Sequence, residues 1–213
     1  MSVVESDDQY TVFVGNVASS LSRKDVRKLF SQFGEIRSVR LRGIVAEKPN
    51  LQKRIAIATD RRSASMHSVI YFVKFASDVA VRGALRLNGH LWHDRHIRVD
   101  AADPQSSRCG KHSVFVGNVP FDADEEEIHK LLEEKYDTPV LNVRIVRDRL
   151  TGEGKGFGYV AFKTSAGRQL ALMDTQPLKY KGRKLRISEL IGQPKAKAHR
   201  PKYQHKDTRK LRK

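Results

Sequence analysis

Lys155-Gly156-Phe157-Gly158-Tyr159-Val160-Ala161-Phe162 decides how this chain folds. A β-strand turns successive side chains to opposite faces. Gly158, Val160 and Phe162 therefore share one face and suit a core. Phe157, Tyr159 and Ala161 share the other, which places two rings where a half-buried sheet normally shows polar groups. Lys155 stands at the start of the strand, and the Thr151-Gly152 turn precedes it.

Working outward, the chain repeats itself. Val114-Phe115-Val116-Gly117-Asn118-Val119 is the second copy of Val12-Phe13-Val14-Gly15-Asn16-Val17. The copies also end alike, in His96-Ile97-Arg98-Val99 and Lys184-Leu185-Arg186-Ile187. Two copies of one domain explain this better than one large fold. Each copy reads strand, helix, strand, strand, helix, strand. In the first, Ser22 and Asp25 form a capping box, and Val26, Leu29, Phe30 and Phe33 follow at helical spacing. Ile36 to Ile44 and Val69 to Phe75 read as strands. Ser77 opens a second helix with Ala80, Ala84 and Leu87 inward, closed by Asn88-Gly89. In the second copy, Asp124 and Glu127 are expected to form a capping box, and Ile128, Leu131 and Leu132 the helix stripe. Leu141 to Arg147 and Phe157 to Phe162 are strands, and Ala166, Leu170 and Met173 mark the last helix.

A βαββαβ order predicts an α+β fold: an antiparallel sheet with both helices on one face and the other face open. The expected layout is a first unit over 10–101, a linker over 102–111, a second unit over 112–190 and a tail over 191–213. On the open face of the second unit, Phe115 joins Phe157 and Tyr159. Exposed clustered rings mark a binding surface; the competing reading is that another part of the chain covers them.

Charge points to the class of partner. The 213 residues carry a formal +17, from 41 Lys and Arg against 24 Asp and Glu. The tail alone has 9 basic residues and 1 acidic, while 111–190 has 14 and 12. Excess positive charge concentrated in this way suits a polyanion, because cations that neutralise phosphates release condensed counterions. The tail shows no apolar periodicity and is expected to be disordered. It reads as a nuclear or nucleolar address, an RNA clamp or a solubilising segment. Cys109 is the single cysteine, so no intrachain disulfide forms. A reducing compartment fits. Met1 to Tyr10 is acidic and polar, without a signal-peptide core, and no apolar run reaches the roughly 18 residues of a membrane span.

The octamer at Lys155–Phe162 fits every position of the ribonucleoprotein motif. Both units resemble RNA-recognition motifs, which are ferredoxin-like, over nearly all of 10–190. The first unit is degenerate. It keeps Phe13 and Phe72, but Ile70 stands where the third ring belongs, Tyr71 replaces a small residue, and Ser68-Val69 replaces the basic residue and glycine. Weaker RNA binding and a protein-contacting role both fit it. Phe13 to Phe72 spans 59 positions against 44 from Phe115 to Tyr159, so the first unit holds 15 extra residues, mostly at about 45–67. That segment contains Lys48, Lys53, Arg54, Arg61 and Arg62. It reads either as a grip on phosphate backbone or as a solvated loop.

The paired motifs and long first loop, with Ser113 to Asn118, Val143 to Asp148 and Gly182-Arg183-Lys184-Leu185-Arg186, resemble the family of RNA-binding protein 34 and nucleolar protein 12. That resemblance implies a nucleolar protein that acts in maturation of large-subunit ribosomal RNA and ribosome biogenesis. Its partners would be single-stranded pre-ribosomal RNA and ribosome-assembly proteins, with no small-molecule substrate, membrane or cofactor. Messenger RNA binding, splicing, or a scaffold role in a ribonucleoprotein particle are the alternatives. The candidate RNA contacts are Phe115, Phe157, Tyr159, Lys155, Asn118, Arg144 and Arg186 in the second unit, and Phe13, Phe72 and Asn16 in the first.

Three other patterns carry less. Gly152, Gly154, Gly156 and Gly158 lead into a strand, whereas a phosphate-cradling loop leads into a helix. His90, His93 and His96 have a metal-like spacing with only Asp94 beside them, and read as surface histidines. Cys109 and His112 lack any supporting acid or oxyanion donor, so the chain is expected to be no enzyme.

Overall fold

The computed structural model describes residues 10–44, 68–102, 112–148 and 151–190. The basic loop at 45–67, nearly all of the linker and the tail at 191–213 lie outside the described residues.

The first motif is built from Thr11–Ala18 (β1), Arg23–Phe30 (α1), Ile36–Arg42 (β2), Ser68–Phe75 (β3), Asp78–Leu85 (α2), His90–Trp92 (β4) and Arg95–Ala101 (β5). The second comprises Ser113–Gly117 (β6), Glu125–Tyr136 (α3), Val140–Arg147 (β7), Gly154–Phe162 (β8), Ser165–Met173 (α4), Lys179–Tyr180 (β9), Arg183–Lys184 (β10) and Arg186–Glu189 (β11). All pairings are antiparallel. The sheet orders are β2-β3-β1-β5-β4 and β11-β6-β8-β7, so the repeated βαββαβ reading holds in both halves.

Alternation does the sorting. Along β3, Val69, Tyr71, Val73 and Phe75 are buried and the residues between them are not. These pack with Val26 and Phe30 of α1 and Ala80 and Ala84 of α2. Tyr71, which replaces a small residue, is accommodated because its hydroxyl donates to Leu21 O at 3.0 Å. In the second motif Val114, Val116, Val160 and Phe162 meet Ile128, Leu132 and Ala171. Gly158 lies on β8 opposite Ile145 of β7. A Cβ there would sit 2.5 Å from Arg144 O and 3.2 Å from Ile145 Cα. Both obstacles are backbone, so Gly158→Ala is expected to destabilise the second motif by about 1–3 kcal/mol in chemical denaturation, as overpacking does. A midpoint equal to wild type would show that β7 yields freely.

The capping box at Ser22 forms: Ser22 N donates to Asp25 Oδ2 at 2.8 Å, and Asp25 N to Ser22 Oγ at 3.4 Å. The second expected box does not. Asp124 caps α3 through Glu126 N at 3.1 Å, while Glu127 accepts a short hydrogen bond from the Tyr180 hydroxyl instead. The stripe expected for α4 is also displaced. Ala166, Leu170 and Met173 face outward, with Met173 80% exposed, and Gly167 and Ala171 are buried. The cause is close approach: a Cβ on Gly167 would meet Thr138 Oγ1 at 3.0 Å and Phe162 Cδ1 at 3.1 Å. The smallest residues sit inward because the helix lies tight on the sheet.

Each motif also carries a short hairpin before or beside its last strand. The turns are His93-Asp94 (φ 47 and 61) and Lys181-Gly182 (φ 45 and 74). Positive φ at both central residues is the two-residue turn that matches strand twist.

Candidate nucleic-acid interface

The second sheet assembles the ring platform expected of it. Phe115 on β6 stands opposite Tyr159 on β8, and Phe157 stands opposite Gly117. Ring centroids are 5.8 Å apart for Phe115 and Phe157, 6.1 Å for Phe115 and Tyr159, and 6.3 Å for Phe157 and Tyr159. All three rings are half-buried on the face away from the helices. The Phe-Val-Gly spacing has a steric reason: a Cβ on Gly117 would lie 3.0 Å from Phe115 Cε1, and one on Gly15 only 2.7 Å from Phe13 Cε1. Each ring leans over its glycine.

Cations rim this platform. Arg144 on β7 is opposite Tyr159. Arg186 on β11 is opposite Gly117, its guanidinium close over that glycine. Lys155 is exposed at the entry to β8, with Asp148 Oδ2 3.8 Å from its Nζ. An exposed pair of this length contributes little, so Lys155 can turn to a phosphate. Asn118 is exposed beside the platform, and its Nδ2 donates to Lys184 O at 2.9 Å. Ala161, expected on the open face, is only 8% exposed.

The first sheet holds Phe13 opposite Phe72, edge to face at 5.6 Å. Arg98 on β5 completes this site, a residue that the octamer and ring pattern do not single out. Its Cζ lies 4.3 Å over the Phe13 ring, and its Nε is 2.8 Å from Asp100 Oδ2. The signal for it lies in the repeat, since Arg98 is opposite Gly15 as Arg186 is opposite Gly117. Burial lowers the pKa of Arg98; Asp100 opposes this and the charge of Arg144 adds to it. The first motif thus offers a ring already stacked with a guanidinium rather than a bare platform.

The two motifs touch. Arg95 binds Asp124 with both terminal nitrogens, at 3.0 Å for Nη1 and shorter for Nη2. Its Nε and Nη2 also donate to Asn16 Oδ1 at 3.1 and 2.7 Å. Asn16, at φ 56 in the irregularity of β1, donates to His96 O at 2.9 Å and Glu126 Oε2 at 3.4 Å. Its amide is therefore engaged between the motifs, although the sequence alone suggests it as an RNA contact. Gly89 (φ 75) packs against Leu141, where a Cβ would meet Leu141 O at 2.7 Å. These contacts bring β5 beside β7. Arg98 and Arg144, both on the open faces, consequently stand across one seam.

Comparisons with known proteins identify the two motifs and several relatives. The sequence model described as RNA recognition motif matches residues 12–49 and 114–186. RNA-binding protein 34 of Homo sapiens is 37% identical over 192 residues, covering 89% of this chain and 44% of that protein. Nucleolar protein 12 of Candida albicans is 37% identical over 188 residues, covering 84% and 41%. Nucleolar protein 12 of Schizosaccharomyces pombe is 33% identical over 204 residues, covering 93% and 44%. The chain spans less than half the length of these relatives.

Proposed function

The chain belongs to the RNA recognition motif family, and from that premise we propose that it is a noncatalytic nucleolar protein that binds single-stranded RNA. The observation that carries this is the platform of Phe115, Phe157 and Tyr159, open on one side and rimmed by Arg144, Arg186 and Lys155. Flat rings at this spacing accept about two or three unstacked bases, while the cations meet the backbone between them. Neutralised phosphates make affinity fall with salt.

The seam lengthens the path open to RNA. With β5 beside β7, a strand of RNA leaving Tyr159 passes Arg144 and Arg98 before reaching Phe13 and Phe72. The first motif would hold mainly backbone, because Ile70 offers no ring. The relatives named nucleolar protein 12 support the nucleolus, and precursor ribosomal RNA, large-subunit maturation and assembly-protein partners are the finer parts of the proposal.

Ultraviolet crosslinking in cells, with sequencing of the bound RNA, tests it. Reads concentrated on ribosomal precursors, with adducts on Phe115 or Tyr159, are the expected result. Dispersed messenger reads would overturn the ribosomal assignment. Peptide rather than RNA adducts on those rings would replace direct binding with a scaffold role.

A further inference from the structure

His96, Glu126 and His129 meet at the seam, and their candidate ligand atoms all lie within 4.8 Å of one another. His96 comes from β5 of the first motif, and Glu126 and His129 from α3 of the second. We propose that these three side chains form a site for a divalent transition metal, suited to zinc, that bridges the two motifs. Two imidazoles and one carboxylate are a donor set that zinc accepts, with one position left for water.

Several observations converge on a ligand. His129 is 1% exposed, and among the described residues neither ring nitrogen makes a hydrogen bond of good geometry, its polar neighbours being the Val140 backbone and Glu133. Buried polar atoms are nearly always satisfied, and a metal would satisfy one of these. Glu133 Oε2 lies 3.7 Å from His129 Nδ1, placed as the carboxylate that orients a metal-bound imidazole from behind. That leaves Nε2 of His129 to bind. Glu126 is already aimed: its Oε2 accepts from His96 N at 2.8 Å and from Asn16 Nδ2 at 3.4 Å, while its Oε1 is 2.8 Å from His96 Nδ1. A metal would enter between these last two atoms, in place of the contact between them.

The two imidazoles now lie nearly parallel, 3.9 Å between centroids and 10° between planes. Metal capture turns them out of this stack and exchanges a ring contact for two bonds to the metal. The local field suits a dication. Around the cluster stand four carboxylates: Arg95 pairs with Asp124 and Arg147 with Glu125, which leaves Glu126 and Glu133 facing the imidazoles. His90 and His93, neighbours of His96 in sequence, take no part in the cluster.

The full chain, without RNA, is titrated with cobalt chloride and separately with zinc chloride. One bound ion per chain is expected, with visible ligand-field bands for cobalt. His96→Ala and Glu126→Gln should each weaken that binding at least tenfold, and Glu133→Gln by roughly tenfold, the scale seen for outer-sphere partners. His96 lies at the seam rather than in a core, so His96→Ala tests the site without removing a core side chain. Spin labels on the two motifs should show a distance distribution that narrows on adding zinc to the wild-type chain and does not narrow in His96→Ala. Absence of cobalt bands, or equal affinity in wild type and His96→Ala, would overturn the site. The readout involves no RNA, so it stands or fails separately from the binding role proposed above.

Discussion

Replacing Phe157 and Tyr159 together with alanine is expected to weaken binding of a short single-stranded RNA by at least tenfold while the second motif stays folded. The magnitude follows from stacking, worth roughly 1–3 kcal/mol per base. Two rings together remove at least about 2 kcal/mol, which is more than one decade of affinity. The fold survives because neither ring is in the core. The core of this motif is Val114, Val116, Val160 and Phe162 with the helices behind them. Phe157 and Tyr159 touch each other and Phe115 on the opposite face. Circular dichroism and the unfolding midpoint should therefore stay near wild type while the titration shifts. The salt dependence gives a second check. Arg144, Arg186 and Lys155 remain in the variant, so the slope of affinity against salt should hardly change while its level drops. An unchanged affinity would remove the platform from the binding site, whatever the family.

Legibility differs from element to element for physical reasons. The strands of the platform are readable because period two places core and ring residues on opposite faces by arithmetic alone. The helix α1 is readable because Ser22 and Asp25 mark its start and apolar residues follow at i, i+3 and i+4. The helix α4 misleads because its apolar residues Leu170 and Met173 are exposed, and packing chooses Gly167 and Ala171 for closeness rather than for apolar area. The hairpin turns at His93-Asp94 and Lys181-Gly182 lack the Asn-Gly or Asp-Gly signature, so nothing local separates them from plain connections. Arg98 is legible in principle through the repeat. The roles of Arg95, Asn16 and Asp124 are not. Each is ordinary within its own motif, and their meeting depends on how one motif docks on the other, which neither local pattern encodes.

That docking makes the second large expectation. Arg95→Ala should separate the motifs without unfolding either one. Both side chains of the Arg95–Asp124 pair are only 12% exposed. Removing one partner of a buried pair costs about 3–5 kcal/mol, because the remaining charge stays buried after losing its ion-pair partner. Here Asp124 has a way out: parting the motifs returns it to water, where it can still cap α3 through Glu126 N. The loss should therefore appear as a shift of more than about a hundredfold in the ratio of docked to undocked chains. Small-angle scattering or a distance measured between labels on the two motifs should read it as a longer separation, while each motif's own melting changes little. RNA binding should divide by length. A ligand short enough for Phe115, Phe157 and Tyr159 alone should bind as before. One long enough to cross Arg144 and Arg98 to Phe13 should weaken, because its two halves then meet sites no longer held in register. The swap of Arg95→Asp with Asp124→Arg should recover part of the docking, and a double-mutant cycle over these changes isolates the pair from its surroundings. A chain that stays compact after Arg95→Ala, and still favours long RNA as strongly as wild type, would assign the docking to Gly89 and Leu141 and leave the ion pair as a consequence of it.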